Sequence, residues 1–203
     1  MEEIMRIVFA TGNNDKMREI RQILGGFTED IVSMKDAGID IDIVEDGTTF
    51  EENAMIKARA VHEYCEDAIV LADDSGLEID FLNKEPGIYS ARYLGRETPY
   101  PEKNGIILEK LKDVPDEKRS ARFVCAIAAC LPGGKEIIVR GTMEGRIGYE
   151  IAGENGFGYD PIFFLPEYGK TSAQLLPEEK NAVSHRGKAL RMMEEKLKET
   201  FNA

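Results

Sequence analysis

Hydrophobic residues recur along the chain in two spacings, one typical of amphipathic helices and one typical of buried strands. The helical spacing predicts four helices, over Asp15–Leu24, from Thr49 to about Tyr64, over Glu102–Leu111 and from about Ser184 to Thr200. Short apolar runs predict strands at Ile4–Ala10, twice within Ile31–Val44, and at Ile69–Ala72, Arg122–Leu131, Glu136–Glu144 and Pro161–Leu165. Helices that alternate with strands, followed by a section of paired strands, indicate an α/β protein with a mixed sheet.

Length and composition narrow the class of protein. A chain of 203 residues can form one large domain or two lobes that share a core, and without an internal repeat or long linker we treat residues 1–203 as one domain. No apolar run approaches the ~20 residues of a membrane helix, and the acidic start lacks the features of a signal peptide. The three cysteines form no CxxC pair, so reduced thiols and a cytoplasmic location are expected.

The charge of the chain limits its partners. A net charge of −12 argues against binding to a nucleic-acid polymer, which requires a basic face. A small anionic ligand remains possible if a few concentrated cations meet it. The lysines and arginines that could bind such a ligand are therefore those at positions where a basic residue is not expected.

Two adjacent carboxylates follow the apolar run Ile69–Ala72. Asp73 and Asp74, with Ser75 and Gly76 after them, are expected at the end of that buried strand. Buried carboxylates are costly unless a positive charge lies nearby, and Mg²⁺ prefers a few carboxylate oxygens together with water and phosphate. The alternative is an Asp-Asp-Ser turn that closes the strand.

Two lysines stand out against this acidic background. Lys16 lies in the segment Thr11–Lys16, where a strand gives way to a helix and free backbone N–H groups suit phosphate; the alternative is a helix capped by Asn14 with a solvated lysine. Lys57 falls on the apolar line of its helix, between Ala54 and Val61. It must either extend to solvent or meet a negative partner inside.

The C-terminal third carries a second group of candidate residues. Glycines flank Phe157 and would allow a flat ligand to lie close to backbone and ring. Farther on, Lys180 precedes His185 and Arg186, and an Arg fork with an imidazole can read the edge of a planar base. The alternative is a helix capped by Ser184 with two solvated side chains.

Six segments resemble, in order, the inosine/xanthosine triphosphate pyrophosphatases, the Ham1-like family that cleans the nucleotide pool. They are TGNNDK, TFEENAMIKA, LADDSGLEID, PGIYSARYLG, GFGYDPIFF and EEKNAVSHRG, and they span Ile7 to Ala189. The resemblance implies a long mixed β-sheet flanked by helices, two lobes with a central cleft, and a homodimer. It also implies Mg²⁺-dependent hydrolysis of the purine nucleoside triphosphates ITP, dITP and XTP to monophosphate and pyrophosphate.

The same resemblance assigns roles to residues. It implies that Asp74 is the general base and a metal neighbour, with Asp73 beside it, and that Lys57 neutralises the phosphates. The substrate-binding residues that it implies are Thr11, Gly12, Asn13, Asn14, Asp15, Lys16, Ser75, Phe157, Gly158, Tyr159, Asp160, Lys180, His185 and Arg186.

One position departs from the family pattern. The family often has a metal-binding glutamate three residues before the glycine that matches Gly47, but this chain has Val44 there and Glu45 next. Either Glu45 reaches the metal through a one-residue shift, or Asp73, Asp74 and water suffice.

Two other functions stay open. One is a Maf-like pyrophosphatase for other modified nucleotides, against which the segments GFGYD and SHRG argue. The other is a nucleotide-binding regulator without turnover.

Overall fold

The computed structural model describes residues 5–201, apart from the side chain of Asp15. The helices are α1 (Asn14–Leu24), α2 (Phe50–His62), α3 (Tyr100–Lys110), α4 (Pro177–Val183) and α5 (His185–Phe201). The strands are β1 (Ile7–Phe9), β2 (Ile31–Ser33), β3 (Ile69–Ile79), β4 (Ser120–Cys130), β5 (Glu136–Ile147), β6 (Phe163–Leu165) and β7 (Lys170–Thr171). No helix within residues 5–201 is both long enough and apolar enough to span a membrane.

The strands form one seven-stranded sheet in the order β2-β1-β3-β4-β5-β6-β7. β1 pairs in parallel with both β2 and β3, whereas β5 pairs antiparallel with β6 and β6 antiparallel with β7. The sheet is therefore mixed, and helices accompany it, which confirms the predicted α/β class. The short loop between Leu165 and Lys170 suits the antiparallel pair β6 and β7, because parallel neighbours need a longer crossover such as a helix.

The four predicted helices correspond to α1, α2, α3 and α5. The start of α2 also shows how side chains cap the helix. The Thr49 side chain accepts a hydrogen bond from the Glu52 N–H, and the Glu52 carboxylate accepts one from the Thr49 N–H, so α2 begins with a capping box at the residue where the helix was predicted to start. The prediction of two strands within Ile31–Val44 is wrong, because only β2 forms there. The Ser33 hydroxyl accepts the Asp36 N–H at 3.0 Å and turns the chain away from the sheet.

The largest correction concerns the carboxylates. The strand predicted over Ile69–Ala72 continues through Asp73 and Asp74 to Ile79, so these two residues lie inside β3 and not at its end. The segment Asp73–Gly76 is not a turn. The helix α4 was not predicted, because Pro177–Val183 is short and lacks an apolar stripe.

The chain divides into two compact units, each assembled from separate segments. Unit 1 contains the chain up to Asp74, Cys125–Gly141 and the chain from His185 onward, and unit 2 contains Ser75–Val124 and Thr142–Ser184. In unit 1, residues of β1, β3 and β4 form a hydrophobic core with α1 and α5, including Phe9, Ile20 and Leu190. In unit 2, a second core contains Ile107, Tyr159 and Phe163.

A buried arginine joins two elements of unit 2 by donating hydrogen bonds to backbone carbonyl oxygens. Arg119 is 1% exposed and donates to the carbonyl oxygens of Ile147 at 2.9 Å and Val114 at 3.3 Å, and also to those of Leu111 and Gly148. Leu111 follows the end of α3, whereas Ile147 ends β5. The guanidinium thus satisfies carbonyl groups at the ends of two elements and joins them.

Candidate active site

Asp73 lies at the centre of a buried ion-pair cluster in unit 1. Its Oδ1 is 2.9 Å from the Nζ of Lys16, and its Oδ2 is 3.3 Å from Nη2 of Arg186. Arg186 also donates from Nη1 to Oε2 of Glu19 at 2.6 Å. Because Asp73 is 1% and Arg186 3% exposed, these charges have left water and are compensated by one another.

The start of α1 is built to place Lys16. The Asn13 side-chain oxygen accepts the Lys16 N–H at 3.2 Å, and the Thr11 hydroxyl oxygen accepts the Asn13 N–H at 3.1 Å. The cap of α1 is therefore Asn13 and not Asn14, which is already the first helical residue. Lys16 does not project into solvent as the alternative required, because its ammonium pairs with Asp73.

Asp74 contacts two side chains of α2. Its Oδ2 accepts a hydrogen bond from Nδ2 of Asn53 at 3.2 Å, and its Oδ1 is 3.6 Å from Nζ of Lys57. The same ammonium donates to Oε2 of Glu45 at 2.8 Å. Lys57 therefore meets negative partners inside, and it joins the two carboxylates that the sequence offered as metal ligands.

Asn53 connects this group to the loop that carries Glu45. Its side-chain oxygen accepts the Gly47 N–H at 2.9 Å while its amide nitrogen donates to Asp74. A Cβ on Gly47 would lie 2.7 Å from the Asn53 side-chain oxygen, so glycine is required for this approach. Sequence reasoning did not assign Asn53 or Glu19 to the site, although Asn53 precedes Lys57 by one turn of the same helix face.

The pKa values of the two neighbouring aspartates are shifted in opposite directions. Burial alone would raise the pKa of Asp73, but Lys16, Arg186 and Lys57 together hold it well below its usual range. Burial raises the pKa of Asp74, and the negative charges of Glu45 and Asp73 raise it further, against the opposing effect of Lys57. Burial would lower the pKa of Lys57, but Asp74 and Asp73 raise it. Asp74 is thus the better proton acceptor, and Asp73 a fixed anion.

The residues around Lys57 can be tested for a metal ion. Within the described part of the chain, no group of three or more His, Cys, Asp or Glu side chains forms a metal site. The Lys57 ammonium, however, lies 2.8 Å from Glu45 Oε2 and 3.6 Å from Asp74 Oδ1. Both carboxylates are therefore within reach of a single positive charge. Mg²⁺ binds through one or two carboxylates and completes its shell with water and phosphate, so this pair fits it.

Unit 2 contains the second candidate group, which is organised around the buried Asp160. Its Oδ2 accepts from Nζ of Lys180 at 2.7 Å and from the Phe157 N–H at 2.8 Å, and its Oδ1 accepts from the Ser172 hydroxyl at 2.9 Å. The Lys180 ammonium lies 5.0 Å from the centre of the Phe157 ring. Asp160 therefore fixes the backbone at Phe157.

Glycines make this loop possible. Gly156 and Gly158 both have positive φ, of 76° and 69°, and they flank Phe157. A Cβ at Gly156 would lie 2.3 Å from the Asp160 carboxylate, so the loop closes onto Asp160 only with glycine there. Tyr159 is buried and donates its hydroxyl to the Ser90 carbonyl oxygen at 2.7 Å.

The remaining predicted site residues lie in both units. His185 and Arg186 begin α5 and belong to unit 1, where Arg186 pairs with Asp73. Gly12, Asn13 and Asn14 are exposed, and the side chain of Asp15 lies outside the described part of the structure. Ser75 is half-buried in β3.

The mixed sheet and its accompanying helices define an α/β protein, and comparison with known proteins identifies its family. A model described as the Ham1 family matches residues 7–196. The chain therefore belongs to the Ham1 family, and the resemblance seen in the sequence is confirmed.

Similar curated proteins and solved structures agree. The chain is 48% identical to a dITP/XTP pyrophosphatase of Clostridium perfringens, over 95% of this chain and 97% of that protein. A dITP/XTP pyrophosphatase of Caldanaerobacter subterraneus is 47% identical over 95% and 96%. Among solved structures, the Staphylococcus aureus Ham1 protein matches with a TM-score of 0.85 at 39% identity, over 96% of this chain and 99% of that one. The HAM1 protein of Coxiella burnetii gives 0.86 at 41%, with the same coverage.

Proposed function

We propose that this protein is a nucleoside triphosphate pyrophosphatase that hydrolyses dITP, ITP and XTP to the monophosphate and pyrophosphate, removing deaminated purine nucleotides from the nucleotide pool. Family membership and the high identity to dITP/XTP pyrophosphatases support this function. The Ham1 match also favours it over the Maf-like alternative. The observation that carries the proposal is the pair Asp74 and Lys57, in which a carboxylate of raised pKa lies beside a buried cation.

In the proposed reaction, Asp74 is the general base. It accepts a proton from a water molecule whose oxygen forms a bond to the α-phosphorus, while the bond from that phosphorus to the bridging oxygen breaks and pyrophosphate leaves. Asn53 holds Asp74 in place through its amide donor. Asp73 has a lowered pKa, so its proposed role is to fix Lys16 and not to accept the proton.

Charge neutralisation is the second requirement, because the substrate brings several negative charges to an acidic protein. We assign Lys16, Lys57 and the backbone of Thr11, Gly12, Asn13, Asn14 and Asp15 to the phosphates. Asp74 and Glu45 would hold Mg²⁺. When bound, that ion would add positive charge at the phosphates and lower the pKa of a coordinated water.

We assign recognition of the purine base to the loop Phe157–Asp160 with Lys180. The Phe157 ring is half-buried and flanked by glycines, and an aromatic ring in such a loop suits stacking against a planar base. Ser75 and His185 are further substrate contacts implied by the family pattern. Arg186 pairs with Asp73 and Glu19, so we assign it first to the stability of the carboxylate cluster. Base reading is the further role that the family pattern implies for it.

Product analysis tests the proposal. The purified protein is incubated with ITP, XTP, GTP or ATP, with Mg²⁺ and separately with excess EDTA. We expect monophosphate and pyrophosphate from ITP and XTP with Mg²⁺, slower reaction with GTP and ATP, and loss of activity in EDTA. Diphosphate and inorganic phosphate as products would identify an ordinary phosphatase instead. Tight nucleotide binding without turnover would identify the non-catalytic regulator.

The proposal includes a cytoplasmic homodimer. The free thiols Cys65, Cys125 and Cys130 suit a reducing compartment. Sedimentation equilibrium tests the assembly, because a dimer has twice the 22.7 kDa mass of the chain. A species of single-chain mass at micromolar concentration would reject the dimer without affecting the proposed reaction.

A further inference from the structure

A second set of contacts holds the aromatic loop from the side of α3. Asn104 on α3 is 2% exposed, and its Nδ2 donates to the carbonyl oxygen of Gly158 at 3.1 Å. One turn earlier, the Tyr100 ring packs edge-on against Tyr159, with centroids 5.3 Å apart and an interplanar angle of 89°. These contacts lie within unit 2, and Asn104 and Tyr100 are outside the six segments that resemble the family.

Asn104 and Asp160 together bracket the Phe157–Gly158 dipeptide. Asp160 accepts the N–H of Phe157, and Asn104 donates to the carbonyl of Gly158. Both peptide groups that border this dipeptide are therefore tied to buried side chains. Gly158 has a φ of 69°, a conformation that glycine enters and leaves readily. The hydrogen bond from Asn104 to its carbonyl oxygen therefore restricts its rotation.

The chemistry of Asn104 argues against a purely structural role. No hydrogen-bond partner lies near its side-chain oxygen among the described residues, although that oxygen is buried. A buried unpaired polar atom is destabilising, and this cost offsets part of the stability that the hydrogen bond to Gly158 contributes. The net contribution of Asn104 to stability is therefore small, and the main effect of this side chain is to fix the Gly158 carbonyl group.

We infer that Asn104 is a positioning residue for recognition of the purine base, acting through Gly158 on the orientation of the Phe157 ring. This inference rests on the proposed function. With Asn104 in place, the loop is ordered before the base arrives. Without it, part of the binding energy is used to order the loop, and affinity for the base falls.

The test compares binding of the two products of the proposed reaction. Calorimetry measures binding of IMP, which contains the base, and of inorganic pyrophosphate, which does not, to the wild type and to Asn104→Leu. We expect the Kd of IMP to rise about tenfold, the upper range for one hydrogen bond, with the Kd of pyrophosphate unchanged. The KM for ITP should rise in parallel while kcat is retained.

Ile107→Val is the matched control, because Ile107 is fully buried one turn farther along the same helix and makes only apolar contacts in the core. It should lower the melting temperature and leave the Kd of IMP unchanged. Asn104→Ser serves as a second variant if the leucine protein does not fold, because serine is too short to reach the Gly158 carbonyl.

An unchanged Kd for IMP in a folded Asn104 variant would overturn the inference. Equal weakening of IMP and pyrophosphate, or the same loss in Ile107→Val, would also overturn it, because both indicate a general effect on the fold. A wild type that releases no pyrophosphate from ITP would instead reject the proposed function. The two failures are therefore distinguishable.

Discussion

Asp73 and Asp74 are neighbours in the chain, but their surroundings assign them different tasks. Successive side chains of a strand point to opposite faces of the sheet, so Asp73 meets α1 and α5 whereas Asp74 meets α2. The first carboxylate is neutralised by Lys16 and Arg186. The second keeps a raised pKa and contacts Lys57 less closely, at 3.6 Å.

Replacing Asp74 by asparagine should remove the proton acceptor and preserve the shape of the side chain. We expect kcat for ITP to fall by ~10²–10⁴, the usual contribution of a positioned general base, with nucleotide binding retained. Steady-state kinetics together with calorimetric nucleotide titration measure both quantities. Near-normal turnover would remove Asp74 from the mechanism.

Asp73→Asn provides the contrast. This change leaves the half-buried Lys16 without its carboxylate and the buried Arg186 with Glu19, and removing one partner of a buried pair destabilises proteins by about 3–5 kcal/mol. Thermal unfolding should show a large loss of stability for Asp73→Asn and a small one for Asp74→Asn. The reverse order would contradict the assignment of the fixed anion and the base.

Lys57→Met tests the cation that joins Glu45 and Asp74. Without the ammonium, two carboxylates face each other, so we expect lower stability and a loss of activity equal to a few kcal/mol of transition-state stabilisation. The melting temperature and kcat/KM are the measurements. Unchanged kcat/KM would show that Lys57 serves packing alone.

Arg59→Met is the control on the same helix. Arg59 pairs with Glu136, but both side chains are largely exposed, at 60% and 36%. An exposed ion pair contributes ~0–1 kcal/mol, so this variant should keep both its stability and its activity.

At the scale of secondary-structure elements, the boundaries that local chemistry determines were predictable. The start of α2 at Thr49, the strands β4 and β5, and the apolar stripe of α1 all correspond to predicted elements. β3 was predicted too short because its polar half looks like a turn. Long-range partners on α1, α2 and α5 neutralise Asp73 and Asp74 and allow the strand to continue, which local propensity cannot reveal.

Close packing of β5 against α5 depends on Gly141. A Cβ there would lie 2.3 Å from the His185 carbonyl oxygen and 2.7 Å from the Ala189 nitrogen, and backbone atoms cannot rotate away. Gly141→Ala should therefore displace the start of α5, which carries Arg186, and destabilise the protein by ~1–3 kcal/mol or more. Chemical denaturation measures the change.

Gly105→Ala is the matched control for that substitution. Gly105 is exposed within α3, and a Cβ there meets no atom within 4 Å. Because alanine favours the helix over glycine by about 1 kcal/mol, this variant should be more stable than the wild type. If both alanine variants had the same stability, the close approach at Gly141 would have no energetic consequence.

At the scale of the whole molecule, acid should destabilise the protein. Partners hold the pKa of five carboxyl groups below their usual values, namely Asp36, Glu52, Asp73, Asp80 and Glu136. A carboxyl group whose pKa is lower in the folded state contributes stability above its unfolded pKa of about 4, and loses it as the pH falls through the folded value. Asp74, whose pKa is raised, opposes this trend.

Melting temperatures between pH 7 and pH 3 test this prediction. We expect a plateau at neutral pH and a progressive fall below about pH 5. Asp80→Asn should flatten part of that fall, because hydrogen bonds from Arg122 to Asp80, at 3.0 and 3.1 Å, are the main cause of its lowered pKa. An acid dependence identical to that of the wild type would show that Asp80 contributes nothing to it.

The sequence by itself determined the α/β class, most helices and the family, because these depend on local periodicity, capping residues and ordered motifs. It also singled out Lys57, since a charge on an apolar helix face must be compensated. Only the tertiary structure decided which charged side chains form ion pairs with one another. Arg186 and Asp73 are 113 residues apart in the chain, and their pairing depends on the packing of α5 beside β3. Periodicity describes one element at a time, so it cannot specify contacts between elements that the fold alone brings together.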